Sequence, residues 1–136
     1  MFQKSLRLRA YPRGFHLITH EIEQSLNACP IQNGIVHLFI KHTSASLSIN
    51  ENADPSVRTD MEAFFSEVAD DKRYFIHTFE GSDDMPAHLK SALLGVSVTV
   101  PLTEGRLNLG IWQGIYLGEH RDRASGREIV VTVMGG

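Results

Sequence analysis

The sequence predicts an α+β fold: one domain over residues 1–136, with a mostly antiparallel or mixed β-sheet in a sandwich-like arrangement and two or three inserted helices. Three observations lead to this class. The chain has the length of one domain. Its apolar segments are mostly of strand length and are joined by short turns. Its helical segments do not alternate regularly with the strands, so a doubly wound parallel fold is not expected.

The N-terminal segment is predicted to form a β-hairpin followed by a short helix. Residues 2–9 alternate apolar and polar side chains, as a half-buried strand does, and a second strand is expected over Phe15–Ile18. The helix is predicted over residues 20–28, because Thr19 can cap its start and Pro30 ends it.

Two consecutive strands are predicted next. The apolar run over residues 35–40 is typical of a central strand. The stretch from His42 to Asp60 begins with a second strand, in which Leu47 and Ile49 alternate with hydroxyl and amide side chains. A strand with one polar face that ends at the start of a helix is a reasonable place for a functional site.

Both longer helices have recognisable ends. Asp54 can cap a helix and Pro55 suits its first position, which predicts a helix over residues 55–69. A second helix is expected over residues 86–94, followed by Gly95 at the usual C-terminal position. The side chains expected to face inward are Val57, Met61, Phe64, Phe65 and Val68 on the first helix, and Leu89, Ala92 and Leu93 on the second.

The C-terminal half is predicted to be mainly extended. A turn at Ala124–Gly126 is expected to join the last two strands as a hairpin. The predicted extended segments are Tyr74–Thr78, Val96–Leu102, Ile111–Glu119 and Arg127–Met134.

The composition excludes several classes of protein. A net charge of −3 leaves no basic surface for nucleic acid. The chain has no apolar run of membrane-spanning length and its first residues lack the pattern of a signal peptide. The one cysteine, Cys29, cannot form an intrachain disulfide. These observations predict a cytoplasmic protein without a membrane or nucleic-acid partner.

Histidines are the main indication of chemistry. The chain has seven, and His42 and His120 each follow an apolar strand, where polar residues often serve a site. His88 lies near the start of the second helix, just after Asp83 and Asp84. Imidazole is both a metal ligand and an acid–base group near neutral pH. Each histidine could equally be an ordinary hydrogen-bonded residue, and the two aspartates could simply favour the helix N-terminus.

A dense charged run, Glu119–Arg123, follows the predicted strand at residues 111–119. It could be a solvated turn. It could also turn one side chain into a pocket, because neighbouring residues of a strand point to opposite faces. Arg121 then offers a planar set of donors for a carboxylate or a phosphate.

Six segments together resemble the YjbQ-like family, whose members are often named secondary thiamine-phosphate synthase enzymes. They are His42–Leu47, Asn50–Pro55, Asp83–His88, Leu94–Gly95, Gly110–Leu117 and Glu119–Arg121. The resemblance implies a compact α+β protein, a homotrimer, and a polar site that binds metal through the matching histidines. It also implies a weak thiamine-phosphate synthase activity, which joins a pyrimidine pyrophosphate to a thiazole phosphate with loss of pyrophosphate.

Two functions follow from these observations. The first is an enzyme for a small phosphorylated substrate, in which His42, His88 and His120 hold a divalent metal. Zinc is favoured by three imidazoles, whereas magnesium would suit oxygen ligands. The second function is a non-catalytic trimer that binds a small metabolite or a metal. In the first, the expected roles are base or supporting carboxylate for Glu51 and Asp84, and substrate binding for Ser44, Asn50, Asp83 and Arg121.

Overall fold

A computed structural model describes residues 1–136 and contains eight strands and three helices. The strands are β1 (Phe2–Arg7), β2 (Gly14–Leu17), β3 (Gly34–Ile40), β4 (Ala45–Glu51), β5 (Ser97–Thr103), β6 (Arg106–Leu107), β7 (Gln113–Glu119) and β8 (Glu128–Gly135). The helices are α1 (Thr19–Ser25), α2 (Pro55–Ala69) and α3 (Asp84–Leu94). The predicted α+β class is confirmed. None of the helices has the length and apolar character that crossing a membrane requires.

Two antiparallel sheets enclose the core. The five-stranded sheet has the order β1-β8-β3-β5-β6, and the three-stranded sheet has the order β2-β7-β4. The predicted central position of β3 is confirmed. Its inward side chains pair in register with those of β8, Val36 with Val133 and Leu38 with Val131. Leu47 of the smaller sheet belongs to the same cluster of buried apolar residues, so one core joins the two sheets.

Helix α2 has the predicted bounds because its signals are local. The side chain of Asp54 accepts a hydrogen bond from the Ser56 backbone N–H, and Pro55 takes the first position. Only part of the apolar stripe of α2 packs against the rest of the protein. Phe65 contacts Phe15 of β2, with ring centroids 5.9 Å apart, whereas Phe64 stays exposed.

Helix α3 begins at Asp84, two residues before the predicted start at Pro86, and it buries a different face. The expectation that Ala92 and Leu93 point inward is wrong, since both are exposed and Leu93 keeps 65% of its surface. Lys90 is buried instead and its ammonium group lies 2.9 Å from Asp70 at the end of α2. The helix is anchored here by an ion pair where the sequence predicts an apolar contact. The spacing of apolar residues does not reveal such a pair.

Both predicted hairpins are wrong. Strand β1 pairs with β8, and β2 pairs with β7, so the first two strands lie in different sheets. The turn at Ala124–Gly126 carries the chain from one sheet to the other. Only glycine fits at position 126, because a Cβ atom there would lie 2.0 Å from the Leu8 carbonyl oxygen. Periodicity identifies a strand but not its partner.

Two smaller expectations also fail. Thr19 does not cap α1, because its hydroxyl accepts a hydrogen bond from the backbone N–H of Ile115 in β7. Residues Tyr74–Thr78 form no strand and run as turns and irregular chain toward α3. This irregular segment carries His77 and brings it to the site described next.

Candidate metal centre

Three side chains converge at the start of α3. The nearest ligand atoms of His77, Asp84 and His88 all lie within 4.8 Å of one another. Asp84 and His88 are four residues apart on the helix and therefore share one face. Oδ2 of Asp84 lies 2.8 Å from Nε2 of His77 and 3.2 Å from Nε2 of His88. Two imidazoles and a carboxylate thus point at one place.

The Asp84 carboxylate is buried and fixed in orientation. Its side chain is only 4% exposed, and its other oxygen, Oδ1, accepts a hydrogen bond of 2.8 Å from Arg121. The guanidinium group supplies the charge that a buried carboxylate needs. Oδ2 remains turned toward the two histidines, so the orientation of the carboxylate is fixed by the residue that neutralises it.

Arg121 is fully engaged by this part of the chain. Its Nε donates to Asp83 at 2.9 Å and its Nη2 donates to the Glu80 carbonyl at 2.9 Å, in addition to the bond to Asp84. These contacts raise the pKa of Arg121, with the hydrogen bond to Asp83 as the largest cause. Partial burial acts to raise the pKa of Asp83, but the bonds from Arg121 and the Asp122 N–H outweigh it, and this pKa is lowered. Arg121 therefore holds in place the loop that contains Glu80 and the carboxylates of Asp83 and Asp84.

The tautomer of His88 is fixed by its surroundings. Its Nδ1 lies 2.8 Å from the Thr43 carbonyl oxygen, which can only accept a hydrogen bond, so Nδ1 carries the proton. In the neutral ring Nε2 then has a lone pair, and it faces Oδ2 of Asp84 at 3.2 Å. A metal ion shared between Nε2 of His88 and Oδ2 of Asp84 would satisfy both atoms.

His42 lies beside this centre, but the one lone pair of its neutral ring is already used. Nε2 accepts a hydrogen bond of 2.9 Å from the Glu128 N–H, and Nδ1 lies 3.3 Å from Nη1 of Arg127. Burial, followed by the charge of Arg127, lowers the pKa of His42 and keeps the ring neutral. His42 and His88 both line a cavity of about 350 Å³. In this arrangement His42 contributes a wall to the cavity and has no free lone pair for a metal.

A buried ion pair supports the segment that carries Thr43. Arg127 donates to both oxygens of Glu119, at 2.7 and 2.6 Å. The same guanidinium group donates to the carbonyl and hydroxyl oxygens of Ser44, at 3.1 and 3.0 Å. Because Ser44 follows Thr43, this network also fixes the carbonyl that sets the tautomer of His88. Ser44 is buried and its polar atoms are used within the fold.

His120 lies in the interior of the fold. The residue is fully buried, its Nε2 lies 2.8 Å from the Ser46 hydroxyl, and its Nδ1 has no partner. Burial, reinforced by the charges of Lys90 and Arg127, lowers the pKa of His120 to about 3. The ring is therefore neutral, and it packs edge-on against Phe15.

Asn50 and Glu51 lie at the other end of β4, about 20 Å from Ala45 at a rise of roughly 3.3 Å per residue. Glu51 accepts hydrogen bonds from the backbone N–H groups of Ala53 and Asp54, and so orders the turn before α2. The Asn50 side chain accepts a bond from the Glu51 N–H. Both side chains serve this turn and do not reach the histidine cluster.

Of the nine predicted site residues, the structure brings four together at the start of α3: Asp83, Asp84, His88 and Arg121. His42 adjoins them, and the rest lie elsewhere. The residue missing from the prediction is His77. Its polar surroundings were the only signal in the sequence, because it comes from an irregular segment whose path depends on the tertiary fold.

A family model and two relatives of known sequence point to the same group. The model of the family described as UPF0047 protein YjbQ-like matches residues 4–136. The UPF0047 protein YjbQ of Salmonella typhimurium is 50% identical over 135 residues, which cover 98% of each chain. The UPF0047 protein YugU of Bacillus subtilis is 38% identical over 133 residues, covering 97% of this chain and 98% of that one.

Solved structures agree with this grouping. A YbjQ-like protein from Sulfolobus solfataricus matches with a TM-score of 0.88 and 27% identity, covering 99% of this chain and 97% of that one. A conserved protein from Thermus thermophilus matches with a TM-score of 0.84 and 35% identity, covering 96% and 99%. The names of these four relatives state no reaction.

Proposed function

The chain belongs to the YjbQ-like UPF0047 family, and we propose that it is a metal-dependent enzyme that acts on a small phosphorylated substrate. The metal ligands would be His77, Asp84 and His88. The proposal is carried by the position of the His88 ring. Its Nδ1 is held by the Thr43 carbonyl, so the lone pair of Nε2 faces Oδ2 of Asp84 at 3.2 Å. A bound cation would satisfy all three ligand atoms at once.

The ligand set favours zinc. Two imidazoles and one carboxylate are typical of catalytic zinc sites, which keep a fourth position open. Magnesium prefers oxygen ligands and is the weaker candidate here. When bound, zinc supplies Lewis-acid chemistry: it can polarise a phosphoryl oxygen or lower the pKa of a bound water molecule.

The surrounding residues would tune such a centre without touching the substrate. The Thr43 carbonyl holds Nδ1 of His88, and Arg121 holds the outer oxygen of Asp84, at 2.8 Å in both cases. Backbone carbonyls and charged side chains commonly orient metal ligands in this way. The cavity beside His88 and His42 provides space next to the cluster for a small molecule.

The proposed reaction is the one that the family resemblance implies, in which a pyrimidine pyrophosphate and a thiazole phosphate combine and pyrophosphate leaves. We expect a homotrimer as the active assembly. One face of the five-stranded sheet supports this, because Ile35, Phe39 and Met134 point outward on neighbouring strands and are exposed in the single chain. Packing of copies through this face would bury them.

The test compares zinc-loaded protein with protein stripped by a chelator. Pyrophosphate release from the two substrates is expected only with metal and is expected to fall at least 100-fold in Asp84→Asn. His20→Ala is the matched control, because His20 is exposed at the start of α1 and belongs neither to the metal centre nor to the five-stranded sheet. Equal activity of stripped protein, or of Asp84→Asn, would contradict a metal-dependent reaction at this site.

A non-catalytic role for the same metal is the second candidate. Ile76 and Phe79, which flank His77, are 97% and 99% exposed, an arrangement suited to a contact with another copy. Under this alternative the metal would stabilise the assembly. Loss of the trimer on removing zinc, with no activity on any phosphorylated substrate, would favour it.

A further inference from the structure

A second cavity has His77 in its wall. It measures about 380 Å³ and is formed by the chain just before His77 and by the loop before α3. Its polar wall includes Lys72, Arg73, Thr78 and Ser82. Because His77 is also a wall of this cavity, a molecule bound there would adjoin the proposed metal centre.

The cations of this cavity are available for a ligand. Neither Lys72 nor Arg73 forms an ion pair, and the only hydrogen bond of the Lys72 ammonium group is a long one, 3.4 Å, to the Glu67 carbonyl. Asp71 is the one carboxylate in the wall. The cavity therefore keeps a net positive charge before any metal is counted.

Arg121 contrasts with these two residues. Each of its three nitrogens donates one hydrogen bond, to Asp83, Asp84 and the Glu80 carbonyl, and the two carboxylates balance its charge. It cannot turn to a ligand without releasing the carboxylate that faces the histidines. Because Asp83 and Asp84 already pair with Arg121, an anionic group is better served by cations near the centre that have no carboxylate partner.

We propose that this cavity is the oxyanion subsite of the enzyme and that it binds the phosphate of a phosphate monoester through Lys72 and Arg73, with the hydroxyls of Thr78 and Ser82 as further donors. This inference rests on the proposed function. Two cations and two hydroxyls on different walls suit the several oxygens of a phosphate better than the two of a carboxylate. The subsite fixes the anionic end of the substrate while the rest of the molecule reaches the metal centre.

The experiment measures binding of inorganic phosphate to the zinc-loaded chain of residues 1–136 by calorimetry. The variant Lys72→Gln/Arg73→Gln is expected to weaken phosphate binding at least tenfold while zinc content stays unchanged. Arg106→Gln is the matched control, because Arg106 is exposed, forms no ion pair and lies on β6 away from this cavity. Acetate is expected to bind more weakly than phosphate.

Phosphate binding that persists in the double variant would overturn the subsite, and so would an equal loss in Arg106→Gln, which would indicate a diffuse charge effect. Tighter binding of acetate would overturn the assignment to phosphate. Failure of the proposed function has a separate readout: zinc content and activity that do not fall in the histidine and Asp84 variants. Repeating the titration with metal-free protein keeps the two apart, since Lys72 and Arg73 should still affect phosphate binding there.

Discussion

The interior position of His120 makes the fold sensitive to acid. The ring is fully buried, one nitrogen bonds to Ser46, and the other has no partner. Burial first, and then the charges of Lys90 and Arg127, lower its pKa to about 3. In the unfolded chain the imidazole has an ordinary pKa of about 6.5. The folded protein therefore binds fewer protons than the unfolded chain between these values.

The sign and size of the effect follow from this difference. Above pH 6.5 the His120 ring is neutral in both the folded and the unfolded chain, so it does not reduce the free energy of unfolding. As the pH falls from 6.5 toward 3, the unfolded chain takes up a proton that the folded chain does not, and the free energy of unfolding falls. The loss is about 1.4 kcal/mol for each pH unit in that window. Acidification from pH 6.5 to pH 4.5 should thus cost roughly 3 kcal/mol through this one group.

Urea unfolding at pH 4.5, 5.5, 6.5 and 7.5 tests this effect in the original chain and in His120→Gln. Glutamine is neutral over the range and can still bond to Ser46, so the variant should have a shallower loss of stability by about 1.4 kcal/mol per pH unit. His20→Gln, at an exposed position on α1, is measured alongside to separate the effect of the buried ring from that of replacing any histidine. Equal slopes for the original chain and His120→Gln would refute a buried neutral imidazole.

Three further substitutions probe the supports around the centre. Glu119→Gln leaves the Arg127 guanidinium without its buried partner and should destabilise the protein by about 3–5 kcal/mol in urea unfolding; a loss below 1 kcal/mol would mean that the pair is solvated. Arg121→Lys keeps the charge but loses the forked contacts, so zinc affinity measured by chelator competition should fall about 10- to 100-fold; an unchanged affinity would deny Arg121 a positioning role. Gly118→Ala places a Cβ atom 2.2 Å from the Ser46 hydroxyl and should cost about 1–3 kcal/mol by thermal unfolding, whereas an unchanged midpoint would show that the site can relax.

Local signals in the sequence predict α2 well. The cap at Asp54 and the proline at Pro55 lie within a few residues of each other and depend on nothing else in the chain. The partners of the strands depend on the whole topology, and β1 illustrates this. Its alternating pattern identifies a strand but does not reveal that the partner is β8, more than a hundred residues away. For the same reason the sequence pattern suggests hairpins between neighbouring strands that the fold pairs elsewhere.

The candidate site divides in the same way. Asp84 and His88 share a helix face, so their proximity follows from a spacing of four residues. His77 joins them from an irregular segment, which no periodicity describes. His42 and His120 both follow apolar strands, yet the fold gives one of them backbone and guanidinium donors and buries the other. Their surroundings come from distant parts of the chain and leave no pattern in the sequence.

The most direct test of the account is the zinc content of tag-free protein measured by mass spectrometry, variant by variant. We predict about one zinc per chain, lost in His77→Ala and His88→Ala and retained in His42→Ala and His120→Gln. His77 is more than half exposed, so its substitution should not unfold the chain. A protein that holds zinc equally well without His77 and His88, or that loses it with His42 and His120, would contradict the centre proposed here.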